Sequence, residues 1–200
     1  YLDSYQKWIA LSPEQKMDAL YGMTRSSFYN KDYSNAIVLA ETFLKEQKLN
    51  VDVQNEARII IARSAMELND LKKAYQEYEL LAKGSKSEYA SEALYNIAYI
   101  TYKQDNLVLA EKKVFDILAY ISHDYWLAKS YILLGDIYLA KGNSFQAKHT
   151  YLSIVENYDG EDLRKIAQEK YDAIIQQEDA TEKQNQEQKQ QQQNAPETKE

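Results

Sequence analysis

Apolar residues recur along this chain at the three-and-four spacing of amphipathic helices, interrupted by short polar breaks. Residues 128–157, AKSYILLGDIYLAKGNSFQAKHTYLSIVEN, show the pattern most clearly. Tyr131, Leu134, Gly135 and Tyr138 share one helical stretch, and Ala147, Tyr151 and Ile154 share the next. The break at Lys141-Gly142-Asn143 predicts a turn between two helices. Small residues at Gly135 and Ala147 allow the two helices to approach closely, while Leu134, Tyr138 and Tyr151 fill the space around that contact. One such pair leaves an apolar face open, so stability requires neighbours of the same kind.

The pattern does recur. An Asn or Asp stands four residues ahead of an alanine as Asp32 and Ala36, Asp70 and Ala74, Asn106 and Ala110, and Asn143 and Ala147. The alanines follow one another at intervals of 36 to 38 residues. Twelve positions before each alanine stands a smaller residue, Thr24, Ala62, Ala98 or Gly135, preceded by Met23, Ile61, Ile97 or Leu134. Helices are predicted near 13–29 and 33–46, 52–68 and 71–83, 86–103 and 107–120, and 124–141 and 144–157. Ser12-Pro13-Glu14-Gln15 reads as a capping box that opens the first pair, and Ser85-Lys86-Ser87-Glu88 as one that opens the third. Residues 161–177 form a last amphipathic helix, with Leu163, Ile166, Ala167, Tyr171, Ile174 and Ile175 on its apolar face and charge opposite, as an end cap needs.

The two ends differ from the array. Residues 1–10 place Leu2, Tyr5, Trp8 and Ile9 on one face and read as the end of a preceding repeat or a cap helix. Residues 178–200 are Gln-rich, without an aromatic or a large aliphatic residue, and are expected to be a disordered tail. No apolar heptad accompanies Gln190 to Gln193, so a coiled coil is not indicated.

The repeated helix–turn–helix pattern resembles the tetratricopeptide repeat (TPR), a unit of 34 residues. The resemblance covers residues 13–177 and implies an all-α, right-handed α–α superhelix: repeats near 13–48, 52–84, 86–121 and 124–158 with the capping helix at 161–177, a TPR array over 11–177. The inter-repeat turn Glu156-Asn157-Tyr158-Asp159-Gly160 is similar to that of bacterial cell-envelope members, such as the lipoprotein of the outer-membrane β-barrel assembly machine and the Tol–Pal coordinator. Those proteins commonly carry proline where this chain has Asp159; Lys48, Lys86 and Ser122 hold the matching places of the earlier turns. This resemblance implies a periplasmic or outer-membrane-associated scaffold, with a cytoplasmic one as the alternative.

In TPR arrays the first helix of each pair lines a concave groove. Applied here, that implies a partner-binding face made of Tyr21, Arg25, Phe28, Ile59, Arg63, Tyr95, Tyr99, Tyr102, Lys129 and Asp136. Tyrosine and arginine anchor interfaces, because rings bury area at low entropic cost and guanidinium groups fork onto carboxylates. The expected ligand is a protein or peptide. An aromatic groove also suits a glycan, and a spacer segment with an empty groove is the third reading. The carboxylate clamp of chaperone-binding TPR proteins is not matched, since Tyr21, Arg25 and Ile60 replace its lysine and asparagine residues.

Composition narrows these readings. The net charge of −7 disfavours duplex DNA and anionic lipid as partners. Zero cysteines exclude disulfides and thiolate chemistry, and two prolines suit long helices. No apolar run reaches the length of a membrane span. His123 and His149 belong to no metal-spaced cluster, and no glycine-rich phosphate loop occurs. No catalytic residue, metal or cofactor is therefore expected. The apolar edge around Trp8 is expected to meet neighbouring repeats or a second copy of the chain.

Overall fold

A computed structural model describes residues 10–45, 49–84, 87–120 and 123–193. They form α-helices and connecting turns, with no strand among the described residues. The helices are α1 (Pro13–Tyr29), α2 (Tyr33–Leu44), α3 (Val51–Glu67), α4 (Leu71–Ala82), α5 (Glu88–Lys103), α6 (Leu107–Tyr120), α7 (Asp124–Ala140), α8 (Ser144–Asn157) and α9 (Glu161–Gln193). The chain divides into two compact units, Tyr1–Leu109 and Ala110–Glu200. The expected helix at 1–10 falls almost wholly on residues 1–9, outside the described ones.

Helix starts follow local chemistry. Ser12 Oγ accepts the Gln15 N–H at 3.2 Å while Gln15 Oε1 accepts the Ser12 N–H at 2.9 Å, and Pro13 takes the first helical position. The third pair begins two residues later than its Ser85 signal suggested. Its cap is Ser87, whose Oγ accepts the Ala90 N–H at 3.2 Å. Ser87 wins because its side chain reaches an amide of the first turn that would otherwise lack a partner.

The turn inside each pair is the same structure four times. Lys31, Asn69, Asp105 and Gly142 adopt left-handed φ values of 62°, 57°, 61° and 78°. The next residue's N–H then bonds five residues back: Asp32 to Ser27 at 2.9 Å, Asp70 to Ala65 at 2.8 Å, Asn106 to Thr101 at 3.2 Å and Asn143 to Tyr138 at 2.9 Å. These close the first helix in the Schellman manner. The same four side chains then cap the second helix by accepting the N–H of Asn35, Lys73, Leu109 and Gln146 at 3.3, 3.0, 3.2 and 3.1 Å. The Asn or Asp that marks the repeat in the sequence is thus the hinge between two helices.

The small residues mark close packing. Ala36, Ala74, Ala110 and Ala147 are 0% exposed, and Thr24, Ala62 and Ala98 are equally enclosed. At Gly135 a Cβ would come within 2.3 Å of the Tyr151 ring, so glycine makes room for that ring. In the first unit, Ile37 and Ala40 of α2 pack in one cluster with Ile61 of α3, Tyr78 of α4 and Ile97 of α5. In the second, Tyr151 and Ile154 of α8 pack with Ala128 and Ile132 of α7 and with Leu163, Ala167 and Ile174 of α9. Met23 departs from its equivalents and is 48% exposed. Its counterpart Ile61 is covered by α2 of the pair before, and no described element precedes α1 in that way.

The last helix corrects the sequence reading. It does not stop at 177 but continues to Gln193, so most of the segment read as a disordered tail is helical. Residues 179–190 are all exposed, so tertiary burial does not hold them. Glutamine, glutamate and lysine are good helix formers, and no glycine or proline occurs between Glu161 and Gln193. The helix propagates from the packed segment through its own backbone bonds. Residues 194–200 lie outside the described ones.

Two stability measurements check this packing. Gly135→Ala should lower unfolding stability by about 1–3 kcal/mol, because the added methyl overpacks against a buried ring; a urea midpoint equal to wild type would refute the close contact. Lys31→Gly should raise stability by about 0.5 kcal/mol, and Gly142→Ala lower it by about 1 kcal/mol, as left-handed backbone favours glycine. Thermal melts of both variants would show shifts of opposite sign.

Candidate partner-binding face

Five of the expected residues meet in the first unit, where the first helices of successive pairs touch. Arg25, Phe28, Glu56, Ile59, Arg63 and Tyr89 line a cleft of about 110 Å³, together with Tyr29 and Ile60. Tyr21 lies beside it, its ring 5.5 Å from Phe43 and its phenol donating to the Glu56 carboxylate. Partial burial and then this carboxylate push the Tyr21 pKa up to about 12, so the phenol remains a donor at any physiological pH. The Arg25 guanidinium sits over the Tyr21 ring at 5.6 Å, with Nε 3.6 Å from Glu56. Phe28 packs edge-on against Tyr29 and Tyr33.

The arginines are committed to internal acids. Arg63 Nε and Nη2 fork onto the two oxygens of Glu92 at 2.7 and 2.5 Å. Glu92 is only 4% exposed, so Arg63 neutralises a buried carboxylate of α5. Arg25 serves Glu56 of α3 more loosely. Each arginine therefore already faces an acid about one repeat away. Outer parts of both side chains stay accessible, at 46% for Arg25 and 43% for Arg63.

Other expected residues are placed differently. Ile59 and Tyr95 are 2% and 8% exposed, so part of the stripe is buried rather than open. Tyr95 stacks on Tyr99 with centroids 6.1 Å apart and planes 13° apart. Tyr95 is buried, so of this pair it is Tyr99 that keeps accessible surface. Tyr99 and Tyr102 are half-buried. Lys129 and Asp136 belong to the second unit. Lys129 places its ammonium over Tyr125 and Trp126, 5.6 and 5.0 Å from the centroids. Asp136 accepts from the Tyr151 hydroxyl at 2.6 Å and from Lys170 Nζ at 2.7 Å, which ties α7 to α8 and α9.

Tyr89 and Tyr29 escaped the sequence reading. Tyr89 lies three residues before Glu92, so extending the stripe of α5 by one turn would have found it. Tyr29 ends α1, two residues before the left-handed Lys31, and is 71% exposed. The histidines stand apart: His123 occupies the N-cap position of α7, and His149 meets the Phe145 ring at 4.5 Å. Among the described residues, no group of His, Asp or Glu could hold a metal ion, and no helix is long and apolar enough to cross a membrane.

Comparison with known proteins agrees with the fold. The model of a tetratricopeptide repeat-like domain matches residues 2–176. No curated protein sequence is a match. A crystal structure of MamA is 19% identical and superposes with a TM-score of 0.53, covering 80% of this chain and 97% of that one. A second MamA structure gives 18% and 0.55, covering 84% and 94%. Crystallised TPR-like repeats of a putative kinesin light chain from Podosopora anserina give 14% and 0.61, covering 90% and 94%. At these identities the likeness concerns the fold, which is that of an all-α repeat array, and domains of this type are generally non-catalytic scaffolds for protein partners. The chain belongs to the tetratricopeptide repeat-like domain family.

Proposed function

We propose that this chain is a non-enzymatic scaffold that holds a polypeptide segment of a partner protein on the first-helix face of its first unit. The observation that carries the reading is the cleft between α1, α3 and α5. It joins accessible aromatic and guanidinium surface from Arg25, Phe28, Tyr29, Arg63 and Tyr89 over an apolar floor at Ile59. Tyrosine and arginine in such a setting supply most of the energy of peptide interfaces. The volume of about 110 Å³ suits one side chain of an extended segment rather than a whole small molecule. We place the scaffold in a bacterial cell envelope, periplasmic or outer-membrane-associated, on the likeness of the Glu156–Gly160 turn to envelope members of the family. Cell fractionation of the parent protein tests that placement, and recovery wholly in the cytosolic fraction would overturn it.

The choice of test variant follows from the contacts. Arg63→Ala strips the partner from buried Glu92 and should cost about 2–3 kcal/mol of stability, so lost binding there would be ambiguous. Arg25→Ala with Phe28→Ala and Tyr102→Ala acts at accessible or half-buried positions. Affinity capture with photo-crosslinking should yield a polypeptide attached to the first-helix face of wild type, with recovery reduced about tenfold in the triple variant of unchanged helicity. Equal capture by both proteins, or crosslinks confined to α2 and α4, would refute the assignment.

A further inference from the structure

The second unit contains a larger cleft, of about 360 Å³, where α7 and α8 meet the turn before α9. Leu127, Ala128 and Tyr131 of α7 and Ile154 of α8 give it aliphatic and aromatic walls, and Tyr158, Asp124 and Asp159 complete the lining with Ser153 and Asn157. Tyr158 is set in place by Gly160, where a Cβ would come within 2.4 Å of its ring. Asp162, Tyr125 and Asp124 all act on the Tyr158 phenol, whose pKa burial and these neighbours push up.

Among the described residues, Asp124, Asp159 and Asp162 make no ion pair, whereas the lysines of this unit at 141, 148 and 170 are paired elsewhere. Asp124 and Asp162 lie in the first turns of α7 and α9, where they oppose the positive helix ends. Asp159 lies in no helix and has no such role. The C-terminal, negative end of α8 also arrives here, with the Tyr158 N–H bonded to the Ile154 carbonyl at 3.0 Å. At the place that Asp159 holds, the earlier inter-pair turns carry Lys48, Lys86 and Ser122. Of the four turns, this one alone places a negative charge there.

An apolar, aromatic-walled cleft with carboxylates at its lining is complementary to a side chain that has a hydrocarbon stem and a cationic head. We propose that the cleft binds a lysine or arginine side chain carried on a basic segment of a partner protein. The stem lies against Leu127, Tyr131 and Tyr158, and the head meets Asp159 and Asp124. Lys129, whose ammonium lies over Tyr125 and Trp126 on the same helix, shows that aromatic rings of α7 already hold one cation. The site is separate from the first-unit face and does not depend on it.

The test is an NMR titration of the 200-residue chain with the acetylated, amidated peptide Ala-Lys-Ala-Lys-Ala, beside the same peptide with norleucine for lysine. Saturable shifts are expected at residues 124–131 and 153–162 with the lysine peptide alone. Asp159→Asn and Asp124→Asn should each weaken binding about five- to tenfold. Gly160→Ala should weaken it by displacing Tyr158 while every carboxylate remains. The Arg25, Phe28, Tyr102 variant should bind as wild type does, so failure at the first-unit face is distinguishable from failure here. Equal binding of the norleucine peptide would overturn the proposal. So would shifts spread over the acidic surface, or an affinity unchanged in Asp159→Asn.

Discussion

Close approach of two helices around a small residue is the constraint on which the rest of this structure depends. Gly135 lies under the Tyr151 ring, and the fully enclosed alanines at 36, 74, 110 and 147 repeat that economy of space in each pair. A methyl group or a hydrogen at these places lets large side chains interdigitate at the density of a protein interior. The left-handed turn makes the same demand on geometry. It reverses the chain in two residues, and the Asn or Asp that follows both ends one helix and starts the next. Because turn and contact are coupled, the whole unit repeats as one block.

Stacking of blocks adds a second layer, in which polar contacts join the apolar clusters that run across pairs. Ion pairs link helices about one repeat apart: Arg25 with Glu56, Glu41 with Lys73, and Arg63 with Glu92 in the first unit, and Asp136 with Lys170 and Lys148 with Glu178 in the second. Most of these are partly exposed, and such pairs add little stability singly. They favour one register of block on block, since a slip would leave Glu92 buried without a partner. The same pairs occupy side chains that would otherwise be available to a ligand. This is why the accessible part of the candidate face is smaller than the stripe drawn from spacing.

The ninth helix shows how the array ends. Its buried residues, Leu163, Ala167 and Ile174, cover α8 as a first helix of a further pair would. It then continues in water instead of turning back. No left-handed residue and Asx cap follow at the point where the other first helices stop. The signal for a second helix is missing, so the capping helix runs on.

Repeat length, helix pairing, turn positions and the enclosed alanines were all legible in the sequence, because each rests on contacts within a few turns of chain. Small-residue spacing and Asn or Asp caps are local, and local physics repeats wherever the residues do. Tertiary structure alone decided which charges are free. Spacing placed Arg25, Arg63 and Asp136 on a face, but Glu56, Glu92, Tyr151 and Lys170 come from other helices. It also decided that Ile59 and Tyr95 are core, since burial depends on what packs against a side chain from elsewhere in the fold. Partners one repeat away cannot be read from periodicity, because the period fixes which face a side chain takes and not what the next helix places opposite it.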